Sequence, residues 1–201
     1  MSDCESNAAM DDLADQIPPA AVAEIERRTN ELGFNMASEP RTGAILRMLA
    51  ATKPGGHLLE LGTGTGLGTA WLLDGMDAKA RLISVDIDSA VQSVARAVLG
   101  HDKRLELITE DGAEFLRRCT NTFDLIFADA MPGKYESLDR ALALLQPGGI
   151  YIIDDMLPQT NWPAGHAERV PTLLAGVARH PHLRSVKLAW SSGLVIAARR
   201  A

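Results

Sequence analysis

The chain has 201 residues, 46% hydrophobic and 23% charged, a balance that predicts one soluble globular domain with a sizeable core. A formal charge of −6 argues against the broad basic face that nucleic acid requires, and no apolar run approaches the ~18 residues of a membrane span. Cys4 and Cys119 lack metal-type spacing, and the acidic start Met1-Ser2-Asp3-Cys4-Glu5 is unlike a signal peptide, so free thiols in a reducing cytoplasm are expected.

Residues 1–17, acidic and small with no apolar stripe, are expected to form a flexible tail ahead of a single domain over 18–201. After Pro18-Pro19, Val22, Ile25, Thr29 and Leu32 recur at helical spacing, with Gly33 as the stop. Ser38 is expected to cap a second helix that has Pro40 in its first turn and carries Ile45, Leu46, Met48 and Leu49. These N-terminal helices, 18–52, precede a core over 57–201. There Leu58 to Leu61 reads as a strand, Gly62-Thr63-Gly64-Thr65-Gly66-Leu67-Gly68 as a loop, and Ala70-Trp71-Leu72-Leu73 as helix. Strand and helix then alternate. Leu82–Asp86 is followed by a helix capped by Asp88 and stopped by Gly100, Leu105–Thr109 by a helix with Phe115 and Leu116, and Phe123–Ala128 by a helix with Leu138, Leu142 and Leu145. Gln146-Pro147-Gly148-Gly149 turns into the apolar strand Ile150-Tyr151-Ile152-Ile153, which Asp154 and Asp155 end. After a long loop from Met156 to Gly165 comes a helix to about His180. Leu183–Trp190 and Leu194–Ala198 then flank Ser191-Ser192-Gly193 as a hairpin. The expected fold is α/β, a Rossmann-like doubly wound and mostly parallel seven-stranded sheet with helices on both faces and a C-terminal antiparallel hairpin.

The glycine loop points to a nucleotide-like cofactor. A dinucleotide fingerprint needs G-x-G-x-x-G, but Leu67 or Thr69 stands where its third glycine belongs, and the Gly-Lys-Ser/Thr of a phosphate loop is missing. Glu60 would repel a pyrophosphate and attract an ammonium, which favours S-adenosylmethionine over NAD. Asp86, about twenty residues past the loop, has the reach for ribose hydroxyls, and Glu110-Asp111-Gly112-Ala113 could line the adenine edge. Asp129, Asp154 and Asp155 end the fourth and fifth strands. Taken singly, such acids are equally well explained as helix caps. If those strands are adjacent, though, the acids face one point and need something positive between them, which suggests Mg²⁺ or a similar ion.

The motifs Glu60-Leu61-Gly62-Thr63-Gly64-Thr65-Gly66, Ser84-Val85-Asp86-Ile87-Asp88, Asp124-Leu125-Ile126-Phe127-Ala128-Asp129-Ala130 and Leu145-Gln146-Pro147-Gly148-Gly149 resemble those of class I S-adenosylmethionine-dependent methyltransferases. The segment Ser38-Glu39-Pro40-Arg41-Thr42-Gly43 and the acid pair closing the fifth strand resemble the catechol and caffeoyl-coenzyme A O-methyltransferase group. The resemblance runs from about residue 34 to the C-terminus. It implies cofactor contacts from Met36, Glu60, Gly62, Thr63, Gly64, Gly66, Gly68, Asp86, Asp111, Gly112, Ala113 and Asp129. It further implies metal ligation by Asp129, Asp154 and Asp155, and catalysis by Asp129 and Lys134. Two positions depart from the group. Asp155 stands where Asn is usual, so either an ion there sees an extra charge or the position does not coordinate. Lys134 comes five residues after Asp129 instead of three, which leaves both a general base and a solvated surface lysine open.

The implied reaction moves a methyl group from S-adenosylmethionine to a hydroxyl of a small molecule, with a divalent cation lowering the hydroxyl pKa. Trp162 and His166 would wall the acceptor, or serve as a lid and a helix start. The rivals are a methyltransferase acting on nucleic acid or protein, a non-catalytic S-adenosylmethionine-binding protein, and an NAD-dependent oxidoreductase. No nucleic-acid or membrane partner is expected, and a homodimer is left open.

Overall fold

Continuous apolar runs make strands that must be covered on both faces, and in the computed structural model, which describes residues 16–200, they form the centre of one sheet. The elements are α1 (Val22–Leu32), α2 (Pro40–Ala51), β1 (His57–Leu61), α3 (Leu67–Gly75), β2 (Arg81–Asp86), α4 (Ser89–Leu99), β3 (Leu105–Thr109), α5 (Gly112–Arg118), β4 (Phe123–Ala128), α6 (Leu138–Leu144), β5 (Leu145–Ile153), α7 (His166–Arg179), β6 (Leu183–Leu188) and β7 (Leu194–Arg199). The seven-stranded sheet has the order β3-β2-β1-β4-β5-β7-β6. Pairing is parallel from β3 through β5, and β7 runs antiparallel to both β5 and β6. Strand order reverses between β1 and β4, so a crevice opens above their carboxyl ends.

Alternate residues of each central strand feed two apolar layers. Leu59, Leu61, Ile126 and Tyr151 pack on one face with Phe115 and Leu142, while Leu58, Leu82, Leu125 and Ile152 pack on the other with Leu72 and Leu46. Each such fully buried aliphatic side chain contributes about 1.5–3 kcal/mol.

Three local expectations need adjustment. The cap of α2 is Glu39, with extended backbone (φ −76°, ψ 154°), and not Ser38, because Pro40 already occupies the first helical positions. The freed Ser38 hydroxyl donates to Asp129 Oδ2 at 3.1 Å. The turn Gln146-Pro147-Gly148-Gly149 lies inside β5, where pairing jumps from Phe123↔Leu145 to Leu125↔Ile150 and the extra residues bulge out. Finally, Leu145, expected in the helix after β4, is the first residue of β5, while α1 spans Val22–Leu32 with Gly33 beyond it as the spacing predicts. Asp88 does cap α4, accepting from the Ala90 and Val91 N–H groups, and Asp111 caps α5 in the same way. The expected tail lies outside the described residues except for Gln16 and Ile17, whose oxygens accept from Arg47.

Candidate active site

A cavity of about 410 Å³ sits over the carboxyl ends of β1, β4 and β5, within the range of small-molecule sites. One half is the glycine loop. Gly62 has φ 98°, and a Cβ there would lie 2.7 Å from the Asp129 carbonyl oxygen, so no other residue allows the loop to close on the end of β4. Beneath the loop, the Thr63 and Ser84 hydroxyls are 2.7 Å apart, and Gln92 Nε2 donates to Thr63 Oγ1 at 3.0 Å. Asp86 accepts the Gly64 N–H at 2.7 Å on one oxygen and the Asp88 N–H at 2.9 Å on the other. Its carboxylate therefore holds the loop as well as facing the cavity.

A narrower cleft of about 90 Å³ shares Gly62, Asp86, Ile87 and Ala130 with the main cavity and is completed by Leu61, Val85, Asp111, Gly112 and Pro132. Of the sequence-derived cofactor set, Met36, Gly62, Thr63, Gly64, Asp86 and Asp129 line the cavity, and Asp111 and Gly112 line the cleft. Glu60, Gly66, Gly68 and Ala113 line neither. Gly66 and Gly68 let the loop and α3 pack closely, against Ala95 and Glu60 respectively, while the Ala113 N–H is taken by Asp111.

Glu60 belongs beneath the loop and does not face the cavity. It is fully buried, its Oε2 accepts from Thr69 and Ser84 at 2.5 Å each, and its Oε1 has no hydrogen-bond partner among the described residues. Burial pushes this carboxyl up to about 7 against the pull of those two hydroxyls.

The other half of the cavity is the acid cluster. β4 and β5 are adjacent, with Ala128 opposite Ile153, so Asp129 and Asp154 emerge side by side. Asp155 follows at φ 64°, a left-handed conformation that Asp and Asn tolerate better than most residues. The positive group that these acids require is Lys134. Its Nζ is 3.3 Å from Asp129 Oδ1 and 3.4 Å from Asp155 Oδ2, and the residue is only 2% exposed, so the surface-lysine reading is overturned. Met131-Pro132-Gly133 makes this reach possible. The Tyr135 and Glu136 N–H groups both turn back to the Met131 carbonyl, and Tyr151 Oη donates to the Gly133 carbonyl at 2.7 Å. Asp154 Oδ1 accepts the Ser192 hydroxyl and the Asp155 N–H. Among the described residues, no group of three or more His, Cys, Asp or Glu side chains is disposed to hold a metal ion.

Burial raises the Asp129 carboxyl well above the usual range; Lys134 pulls it back and Asp154 and Asp155 push it further up. Asp154 is lifted to about 6, by burial first, with Lys134 opposing. Burial alone would lower Lys134, but Asp129, Asp155 and Asp154 outweigh it and keep the side chain an ammonium.

An aromatic wall closes the cavity on the side of α7. The Trp162 and His166 rings lie 4.4 Å apart, tilted by 32°, and Tyr135 meets His166 edge-on at 5.2 Å. His166 opens α7, as the helix-start reading has it, and lines the cavity. Its Nε2 is 3.0 Å from the Asp155 carbonyl and 3.1 Å from Tyr135 Oη. The Trp162 Nε1–H is buried with no partner among the described residues.

Residues 59–156 match the model of a family described as "Methyltransferase domain". The chain carries a methyltransferase domain. A Mycobacterium avium (strain 104) protein named "Putative O-methyltransferase" is 33% identical over 141 residues, covering 67% of this chain and 63% of the relative, so the chain spans less than two thirds of that protein's length. Among solved structures, an O-methyltransferase from Bacillus cereus in complex with SAH superposes with a TM-score of 0.80 at 20% identity, over 93% of this chain and 94% of that one. The O-methyltransferase TomG from Streptomyces achromogenes, in complex with SAM, gives 0.76 at 20% identity over 90% of each chain. These likenesses show the fold of the methyltransferase domain.

Ser38, Ser192 and Phe34 line the cavity, and Tyr135 packs behind His166, places that the sequence reading did not assign to them. Phe34 is the most readable of them, an apolar residue directly after the Gly33 helix stop, and its ring lies 3.4 Å from where a Cβ on Gly64 would be. Ser192 carries only the signal of its hairpin turn.

Two expected results follow from this geometry. Because the folded chain holds a proton on Glu60 that the unfolded chain releases near pH ~4.3, this group's stabilisation is full below that pH and is lost as pH rises towards about 7. Glu60→Gln mimics the protonated form and should remove on the order of 3 kcal/mol of pH dependence, so at pH 8 the variant should melt about 5–10 °C above the parent and at pH 4 no higher. Equal melting temperatures across that range would place the ionised form in the resting fold. Asp86→Ala removes the acceptor of the Gly64 and Asp88 N–H groups and should weaken S-adenosylmethionine binding by about 1.5–3 kcal/mol in calorimetry.

Proposed function

We propose that this chain transfers a methyl group from S-adenosylmethionine to a hydroxyl of a small molecule. The observation that carries this reading is a single cavity in which a glycine loop and a ribose-reach acid adjoin a buried ammonium set among carboxylates and an aromatic wall. The residues suit the donor: the loop closes without Cβ atoms at Gly62 and Gly64, Asp86 presents a carboxylate, and the cleft beside it is lined by Val85, Ile87, Ala130 and Pro132. When bound, S-adenosylmethionine supplies the sulfonium methyl for in-line attack. What the chain contributes is alignment of the two reactants and charge at the acceptor oxygen. Lys134, held as an ammonium, is in the wrong state for a resting general base. Its role is to stabilise the oxyanion as it forms, and Asp129, which lines the cavity 3.3 Å from that ammonium, is the carboxylate placed to take the hydroxyl proton.

A divalent cation is the finer part of this proposal. Its support is chemical: hard carboxylate oxygens, and two more negative charges on Asp129, Asp154 and Asp155 than Lys134 cancels. The arrangement of these groups, with Lys134 between two of them, is not that of a finished metal site, so no step is assigned to an ion. A reducing cytoplasmic setting also belongs to this reading, supported by the free, buried thiol of Cys119. Among the described residues, no helix is long and apolar enough to cross a membrane.

The test pairs calorimetry with a cofactor-turnover assay. S-adenosylmethionine and its demethylated product should bind and NAD should not, and small phenols and diols should release S-adenosylhomocysteine. Tight NAD binding with no response to S-adenosylmethionine would remove the proposal.

A further inference from the structure

We infer that the acceptor taken by this cavity carries no negative charge: it is a planar hydroxy compound, neutral or bearing an ammonium arm, and not a carboxylate, a phosphate or a coenzyme A thioester. This rests on the methyl-transfer reading and adds the charge class of the substrate. Among the described residues, six carboxylates line the cavity, Glu39, Asp86, Asp88, Asp129, Asp154 and Asp155, against Lys134 as the single Lys or Arg in its wall. That ammonium is already engaged by Asp129 and Asp155. Two guanidiniums on α2 and α7 do not offset the imbalance, since Arg41 lies over the Trp190 ring and Arg169 over the Tyr135 ring, and neither lines the cavity.

The methyl donor brings at most one net positive charge and a divalent cation two, so the wall stays negative with both in place. Low-dielectric walls of one sign focus the field in a cleft, which draws cations inward and repels anions. An independent observation sets the shape. Trp162 and His166, whose rings lie 4.4 Å apart and tilted by 32°, both line the cavity. A flat ring is the partner that such an aromatic wall favours. Glu39 marks the end of this subsite nearer solvent. It is exposed, and its Oε2 accepts from Ser191, the neighbour of the residue that contacts Asp154.

Two catechols that differ only in the arm on the ring, one aminoethyl and the other carboxyethyl, test the inference on the full chain. The ammonium arm should give a kcat/KM about tenfold or more above the carboxylate arm at low salt, and the ratio should shrink at high salt and in Glu39→Lys. Calorimetry on protein loaded with S-adenosylhomocysteine reads the same order without turnover. If neither catechol is methylated, the methyl-transfer reading fails while the charge preference is still scored by binding. Equal or tighter binding of the carboxylate arm, or no binding of either, overturns the inference.

Discussion

Lys134→Met should cost this protein both stability and turnover. The ammonium is buried between Asp129 and Asp155, and removing one partner of a buried ion pair leaves uncompensated charge, a loss of about 3–5 kcal/mol. For a chain of this length that lowers the melting temperature by roughly 6–20 °C. Methyl transfer should fall about 10²–10³-fold, the scale for losing one preorganised charge at a developing oxyanion. S-adenosylmethionine affinity should change far less, because the proposed donor contacts are those of the loop and Asp86. The double variant Asp129→Asn/Lys134→Met separates the two effects. It removes the orphaned charge, so it should regain much of the lost stability while remaining inactive. A single Lys134→Met variant that melts and turns over like the parent would place the lysine outside the machinery.

The sheet was legible because its central strands are buried on both faces, which leaves continuous apolar runs such as Phe123–Ala128 and Ile150–Ile153 between turn residues. Strand-end acids were legible for the same reason: a charge directly after such a run has only the crevice to point into. Depth beneath the loop was not. Glu60 follows the same pattern as Asp86, yet it is sequestered by hydroxyls that arrive from α3 and β2, and no local spacing announces Thr69 and Ser84 as its partners. The reach of Lys134 was hidden too, since it depends on a reverse turn over Met131–Glu136 that is pinned by Tyr151 on a neighbouring strand. Contacts that join two distant loops, such as Ser192 with Asp154 and Ser38 with Asp129, arise only once the sheet order is set.

Millimolar Mg²⁺ or Mn²⁺ should raise the melting temperature of this chain, and Asp154→Asn should abolish that rise. Asp129, Asp154 and Asp155 carry more negative charge than Lys134 neutralises, and burial makes the surplus costly, as the raised Asp129 and Asp154 pKa values record. A cation that binds only the folded state stabilises it by about 2.7 kcal/mol at a hundredfold excess over its Kd, worth roughly 5–10 °C here. Asn is the informative replacement because its carbonyl still accepts from Ser192 and from the Asp155 N–H, so the hairpin stays anchored while the charge goes. Turnover of a hydroxyl acceptor should then drop by about two orders of magnitude or more, with S-adenosylmethionine affinity within a few-fold of the parent, since an ion at this cluster would act on the acceptor and not on the donor. Asp155→Asn should be tolerated better, because Asn takes the left-handed backbone of that position and keeps the backbone contacts to Asp154 and His166, with a side-chain oxygen still able to accept from Lys134. If EDTA and added Mg²⁺ both leave melting and turnover unchanged, the cation is withdrawn from the proposal. Lys134 alone then supplies the positive charge, and the proton balance of the cluster must be met by keeping Asp129 or Asp154 protonated.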